Sequence, residues 1–281
     1  MSNAVTIEEL RKKAEELKNC LHLSYYPIGI KFAKSEEEIP TNAIRPFRDH
    51  NEKWAVCQLV QKARREDATY AMKVEDHWCW YPLITYGHFK LEKGAPDYEI
   101  ALKNLGIPDR EREEKFLEKV PVLEHNSNHA TLIGSLKTIE FIPDVILIYA
   151  DNPQMLRLMV GAIKYMDGDL LDTALDYVNS CCWSVLPTHF SRKFRVTIPD
   201  PGEVERAEMG DNEIILSAPV ERFGELVDTT LLKDSRYKLR SGTRTGLVPY
   251  FARAEFMHKL YEIWGLKHDG AVSWTEKERG Y

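Results

Sequence analysis

The stretch "PDVILIYADNPQMLRLMVGAIKYMDG", Pro143 to Gly168, decides the fold. Val145 to Ala150 is nearly continuous in apolar residues and shows no polar alternation. That pattern predicts a strand covered on both faces, and so a strand in the middle of its sheet. The period then changes from strand to helix. Asn152 is placed as the cap, Pro153 takes the first helical position, where its missing N–H costs nothing, and Gly168 closes the helix. A buried strand that runs straight into a helix is therefore the unit to seek in the rest of the chain.

Upstream, "YYPIGIKF" (Tyr25–Phe32) reads as a second such strand, with Pro27 near its start, where proline is tolerated. A helix precedes it: Thr6 and Glu9 form a capping-box pattern, and Ile7, Leu10, Ala14, Leu17 and Leu21 make an apolar stripe. A polar loop from Ser35 to about Lys53 leads to a helix in "WAVCQLVQKARR" and a strand in "ATYAMKVED". The segment from Lys90 to Asn128 is charge-rich, with a surface helix capped by Asp109 and ended before Pro121. Downstream, strands are predicted at Phe194–Ile198 and Glu213–Ser217, with turn signals at Pro201-Gly202 and Gly210-Asp211. A helix follows from about Val220, and "LVPYFARAEFMHKLYEIWG" is an amphipathic helix stopped by Gly265. The expected fold is α+β, with two pseudo-repeated strand–helix halves packed into one globular unit around a central mixed sheet. The expected boundaries are one domain over 1–281, half-domains at 24–90 and 141–230, an N-terminal helix over 1–23 and a C-terminal helix over 245–265.

The two halves are suggested by an internal echo. A shift of 103 positions lays Ala71 on Ala174, Cys79 on Cys182, Trp80 on Trp183, Leu83 on Leu186 and Thr85 on Thr188. In each half a strand and a helix come before the Cys-Trp pair. Repeats dictate architecture, and a cleft between related halves is a favoured ligand site.

Bulk properties narrow the functional classes. The 281 residues are 43% hydrophobic and 29% charged, with a net charge of −6 and the signs interspersed. No basic block is present, so nucleic acid is not expected as a partner. The N-terminus has no apolar core of the signal-peptide kind, and runs such as "VILIYA" are too short to span a bilayer. The expectation is a cytoplasmic protein with no membrane partner, whose five cysteines are thiols or ligands, not disulfides. The expected partners are a small-molecule ligand and, in a homo-oligomer, further copies of the chain. There is no GxGxxG, Walker or GxSxG element, no CxxC and no HExxH. "GDNE" and "MDGD" read as acidic surface turns, and "HNSNHA" as a loop.

Cysteine and aromatic residues carry what chemistry remains. Cys79 and Cys182 each stand where a loop turns into a helix, a place that favours thiolate, and His77 lies two residues from Cys79. These three are the catalytic candidates. Cys57, Cys79, Cys181 and Cys182 could together ligate a cofactor, an iron–sulfur cluster, a haem or another soft metal centre. Tyr25, Tyr26, Trp80 and Trp183 are the candidate pocket walls, and Lys31 and Arg64 the candidate charge partners. Three functions stay open: an enzyme acting on a small organic acid, aromatic or not, in a Cys/aromatic-lined cleft; a non-catalytic binding protein for a small ligand, haem or metal centre; and a scaffold with no site of its own.

From Tyr25 to Asp228 the chain resembles the family known as domain of unknown function 169, or ArCR. The matching pieces are "YPIGIKF", Cys57 and Cys79, the Pro143, Asp144, Pro153, Gln154 element, and the closing Asp211, Glu213, Ser217, Pro219. The chain departs from the family pattern after Cys79, where Trp80, Tyr81 and Pro82 replace frequent glycines. The resemblance implies a cytoplasmic protein and points toward anaerobic metabolism; it implies no reaction.

Overall fold

The computed structural model describes residues 5–163, 171–173, 179–231, 253–265 and 272–274. The chain divides into two compact units, Met1–Leu239 and Arg240–Tyr281.

The first unit begins with helix α1 (Ile7–Leu21), capped by Thr6, whose hydroxyl accepts the Glu9 N–H at 3.2 Å. Its predicted stripe is the buried one: Leu10, Ala14, Leu17 and Leu21. There follow β1 (Ile28–Ala33), α2 (Pro46–His50), α3 (Val56–Glu66), β2 (Thr69–Met72), α4 (Trp80–Thr85), α5 (Pro96–Lys103) and α6 (Arg110–Leu117). The second stretch carries β3 (Ala130–Ser135), β4 (Val145–Ala150), α7 (Asn152–Ala162), β5 (Asp172–Thr173), α8 (Ser180–Trp183), α9 (Leu186–Ser191), β6 (Arg195–Thr197), α10 (Pro201–Ala207), β7 (Ile214–Pro219) and α11 (Val220–Leu231). Seven strands form one mixed sheet in the order β2-β3-β1-β4-β7-β6-β5, antiparallel throughout except for the short parallel pair β5–β6.

β4 is the central strand of this α+β fold, and its apolar run has a simple cause. Successive side chains point to opposite faces. Val145, Leu147 and Tyr149 enter a core with α3, α4 and α8, while Ile146, Ile148 and Ala150 enter another with α1, α7 and α11. A sheet covered on both faces leaves no position in β4 for a polar side chain. Gly29 of β1 serves the same packing: a Cβ there would lie 2.6 Å from Ile139 Cδ1, so glycine lets the segment entering β4 rest on the neighbouring strand.

Several expectations need correction. α7 is capped by Asp151, not Asn152; the Asp151 carboxylate accepts the Gln154 N–H at 3.0 Å, and Gln154 returns a bond to the Asp151 N–H at 2.8 Å. The proposed stop at Gly168 lies outside the described residues, as does most of Asp169–Asn179. β3, α5 and α10 were not anticipated, and α10 occupies what read as a turn at Pro201-Gly202.

The internal two-fold expected from the echo is not shown. β1 and β4 are antiparallel neighbours, so a two-fold relating them would stand perpendicular to the sheet and keep equivalent helices on one face. α3 and α7 pack on opposite faces instead. The second unit holds α12 (Glu255–Ile263) and a short parallel pair, β8 (Arg253–Ala254) with β9 (Val272–Trp274). Of the predicted 245–265 helix, residues 245–252 lie outside the described residues, and Arg253–Ala254 are strand and not helix. Among the described residues no helix is long and apolar enough to cross a membrane.

Candidate functional site

Three segments far apart in sequence meet on the β4 face that carries α3. Gln58, in the first turn of α3, joins them. Its Oε1 accepts the Ala55 N–H at 3.0 Å and the Trp78 indole N–H at 2.9 Å, and its amide donates to the Arg206 carbonyl at 3.1 Å. The 77–79 segment is fixed further by buried Asp76, which accepts the Phe47 and Lys73 N–H groups, both at 2.7 Å. α8 starts from Asn179 in a left-handed conformation (φ 60°), which asparagine tolerates better than most residues. Its first residue, Ser180, donates its N–H to Asp200 at 2.6 Å.

The result is a cleft of about 470 Å³, within the usual range for small-molecule sites. Cys57, Cys79 and Cys181 line it, from the first turn of α3, the cap of α4 and the first turn of α8. Trp78 and Trp80 form apolar walls, and Asp200, Glu205 and Arg206 border it from α10. Arg206 stacks over the Trp78 ring at 5.6 Å and makes no ion pair among the described residues.

Burial and thiol–thiol bonds work against the thiolate form in the cleft. The Cys57 thiol is pushed well up, first by donating a hydrogen bond to Cys181 and then by burial. Cys181 is raised by its bond to Cys182 and by burial, against a lowering from the bond it accepts from Cys57. Burial raises Cys79, outweighing the Tyr81 N–H and the nearby Arg206 charge that pull it down. Helix N-termini supply roughly 0.3–1 kcal/mol of anion stabilisation each, too little to offset desolvation. All five cysteines are free. Among the described residues no group of three or more His, Cys, Asp and Glu side chains is arranged to hold a metal ion.

The structure thus brings Cys57, Cys79, Cys181 and Trp80 together and places the other candidates elsewhere. Cys182 is buried beneath the cleft, where the Thr85 hydroxyl lies 3.1 Å from its sulfur. Trp183 is half-buried against the core below. His77 is buried against His88, and burial pushes its pKa down to about 3, so it is a neutral ring that cannot stabilise a thiolate. Lys31 alternates away from Ile30 and Phe32 and pairs with Glu38 at 2.9 Å. Tyr26 bonds Glu15, between Lys18 and Lys137. Tyr25 lies 5.0 Å from the guanidinium of Arg64, which pairs with Glu213. The cation whose charge acts on Cys79, Arg206, was missed along with Asp200. The signal was present: Asp200-Pro201-x-Glu203 is a cap, a first-turn proline and an N3 acid, which spells a helix start.

Exposure sets an order of reactivity. A bulky alkylating reagent is expected to tag half-buried Cys79 ahead of Cys57, and Cys181 and Cys182 only on unfolding, with half-buried Cys20 on α1 as the internal reference. Peptide mass spectrometry along the time course reads the order. Cys182 labelling as fast as Cys79 would contradict the placement of the two sulfurs.

A family model described as DUF169, uncharacterised ArCR, matches residues 16–229. The uncharacterized protein MJ0308 of Methanocaldococcus jannaschii is 26% identical over 228 residues, covering 79% of this chain and 94% of the relative. No solved structure matches the chain. With its sheet, its cysteine-lined cleft and the closing strand β7 all inside the matched span, the chain belongs to the uncharacterised ArCR family, DUF169.

Proposed function

We propose that the protein is a cytoplasmic enzyme acting on a small, aromatic organic acid held in the cleft between α3, α4, α8 and α10. The observation that carries this reading is the pairing of two indoles, Trp78 and Trp80, with a cation that has no carboxylate partner among the described residues, Arg206. A flat ring packs on the indoles, and a carboxylate takes the free face of a guanidinium in a bidentate bond. Asp200 does not compete for Arg206 as an open anion, because its two oxygens already accept the Ser180 and Glu203 N–H groups at 2.6 and 2.9 Å. A reducing cytoplasm suits three free thiols in one cleft. With those thiols held protonated, they serve the site as a polarisable floor, and any acid–base work falls to the carboxyl groups beside them.

Glu205 also borders the cleft, which makes the sign of the ligand testable. Calorimetry with benzoate and benzylamine is expected to show binding of benzoate. Arg206→Ala should weaken it about tenfold or more, the worth of one charge-assisted hydrogen bond. Glu205→Gln should leave it unchanged or tighter. Preference for benzylamine, or insensitivity of benzoate to Arg206→Ala, would overturn the reading.

A further inference from the structure

The floor of the cleft continues inward as a chain of hydrogen bonds between two acids. Asp200 borders the cleft, and Glu203, one turn along α10, is fully buried. Ser180 stands between them. Its hydroxyl lies 3.1 Å from Asp200 Oδ2, contacts Glu203 Oε2, and accepts the Asp200 N–H at 3.1 Å. Glu203 Oε1 accepts the Tyr149 hydroxyl at 2.7 Å.

Proton counting fixes the direction of this chain. A serine hydroxyl carries one proton and cannot donate to two carboxylates. One acid must therefore hold a proton and donate it to Ser180. An N–H can only donate, so both oxygens of Asp200 are engaged as acceptors, whereas the Glu203 carboxyl meets hydroxyls alone, which can also accept. Glu203 is the acid left to donate, so the chain runs from the Glu203 O–H to Ser180 Oγ, and from the Ser180 O–H to Asp200 Oδ2. Burial acts in the same sense, raising Glu203 against the lowering by Ser180, Tyr149 and Arg64, with Asp200 adding to the rise. The groups facing this pair from the surrounding elements are Tyr149 on β4, Arg64 and Cys57 on α3, Tyr86 after α4 and Cys181 on α8.

We propose that Glu203, Ser180 and Asp200 form a proton relay from the buried core to the cleft, with Asp200 the group that exchanges a proton with the bound acid. In one turn of the relay Ser180 passes its proton to Asp200, Glu203 replaces that of Ser180 and is left ionised, and Asp200 gives the proton it has received to the ligand. The reverse sequence returns it. Atoms and charge balance with no outside reactant. This assignment rests on the cleft being the ligand site, and it adds the catalytic group that the site needs.

The test uses the whole protein without ligand. Infrared spectra at neutral pH are expected to show a protonated-carboxyl C=O stretch that is lost in Glu203→Gln and kept in Glu205→Gln. In D₂O that band shifts as the proton exchanges. Exchange should be fast in the wild type and roughly tenfold or more slower in Ser180→Ala, where it must await local opening. Ser180→Thr, which keeps a hydroxyl, should restore it. Asp200→Asn should also be slow and serves if Ser180→Ala does not fold. Absence of the Glu203 band overturns the proposal, as does unchanged exchange in the folded variants. Faster exchange in Ser180→Ala, the sign of a merely loosened structure, overturns it too. Failure of benzoate to bind would refute the ligand and leave the relay standing.

Discussion

Replacing Leu147 by alanine is expected to cost the first unit about 3–5 kcal/mol, the upper range for a buried leucine. Leu147 is 1% exposed. It sits in the middle of β4, opposite Ile28 on one side and Ser217 on the other, so neither neighbouring backbone can move in to fill the space. The helices of that face are tied together through Gln58 and Ser180, which further limits collapse. A site that cannot relax keeps its cavity, and the cavity adds to the lost transfer free energy. Leu156→Ala on α7 is the matched control. That side chain is 51% exposed, and its loss should stay within about 0.5 kcal/mol. Urea denaturation of both variants measures the difference. A loss below about 1 kcal/mol for Leu147→Ala would mean that β4 is not held on both edges and both faces as described.

The same strand shows what the sequence could and could not disclose. "VILIYA" was legible because double-sided burial leaves a one-dimensional trace: every position is apolar. α1, β1, α3, α6 and α11 were legible for similar reasons, through a stripe, a run or a cap. β3 was not, though it is wholly buried between β1 and β2. Its "ATLIGS" mixes Thr131, Gly134 and Ser135 into the run, residues that read as loop unless their bonding partners are known. The two-fold was misleading because sequence order repeats without recording which face of the sheet a helix takes. At the site, Cys57, Cys79, Cys181 and Trp80 could be named in advance, since unusual residue types announce themselves. What joins them could not. Gln58 and Ser180 are ordinary polar residues whose importance comes from three-dimensional bonding alone. Burial also reversed the expected thiol chemistry: a helix N-terminus favours thiolate in isolation, but desolvation and thiol–thiol hydrogen bonds win here.

Arg64 shows the same reversal, and it supplies a second large expected effect. It read as a cation for a pocket, and Glu213 as part of an acidic surface turn. Together they form a fork: Arg64 Nη2 lies 2.5 Å from Glu213 Oε1, and Nη1 lies 3.2 Å from Oε2. Gln61 takes a further bond from Nη1 at 2.6 Å, and the guanidinium lies 4.0 Å from the Tyr149 ring centre. The Arg64 side chain is 2% exposed and that of Glu213 is 20% exposed. The pair is therefore asymmetric. Removing the anion strands a buried charge, whereas removing the cation leaves a carboxylate that can turn to water. Glu213→Gln keeps the side chain's length and can still accept the Gly210 N–H, now 3.2 Å from Glu213 Oε2, so it isolates the charge. It is expected to cost about 2–4 kcal/mol, somewhat below a fully buried pair because Glu213 is partly wet. Arg64→Met keeps most of the stem that packs on Tyr149 and should cost only about 1–2 kcal/mol. Urea denaturation of the two variants at neutral pH gives the comparison. Equal losses, or a larger loss for Arg64→Met, would show that packing of the arginine, and not the pairing of its charge, holds α3 to the turn before β7.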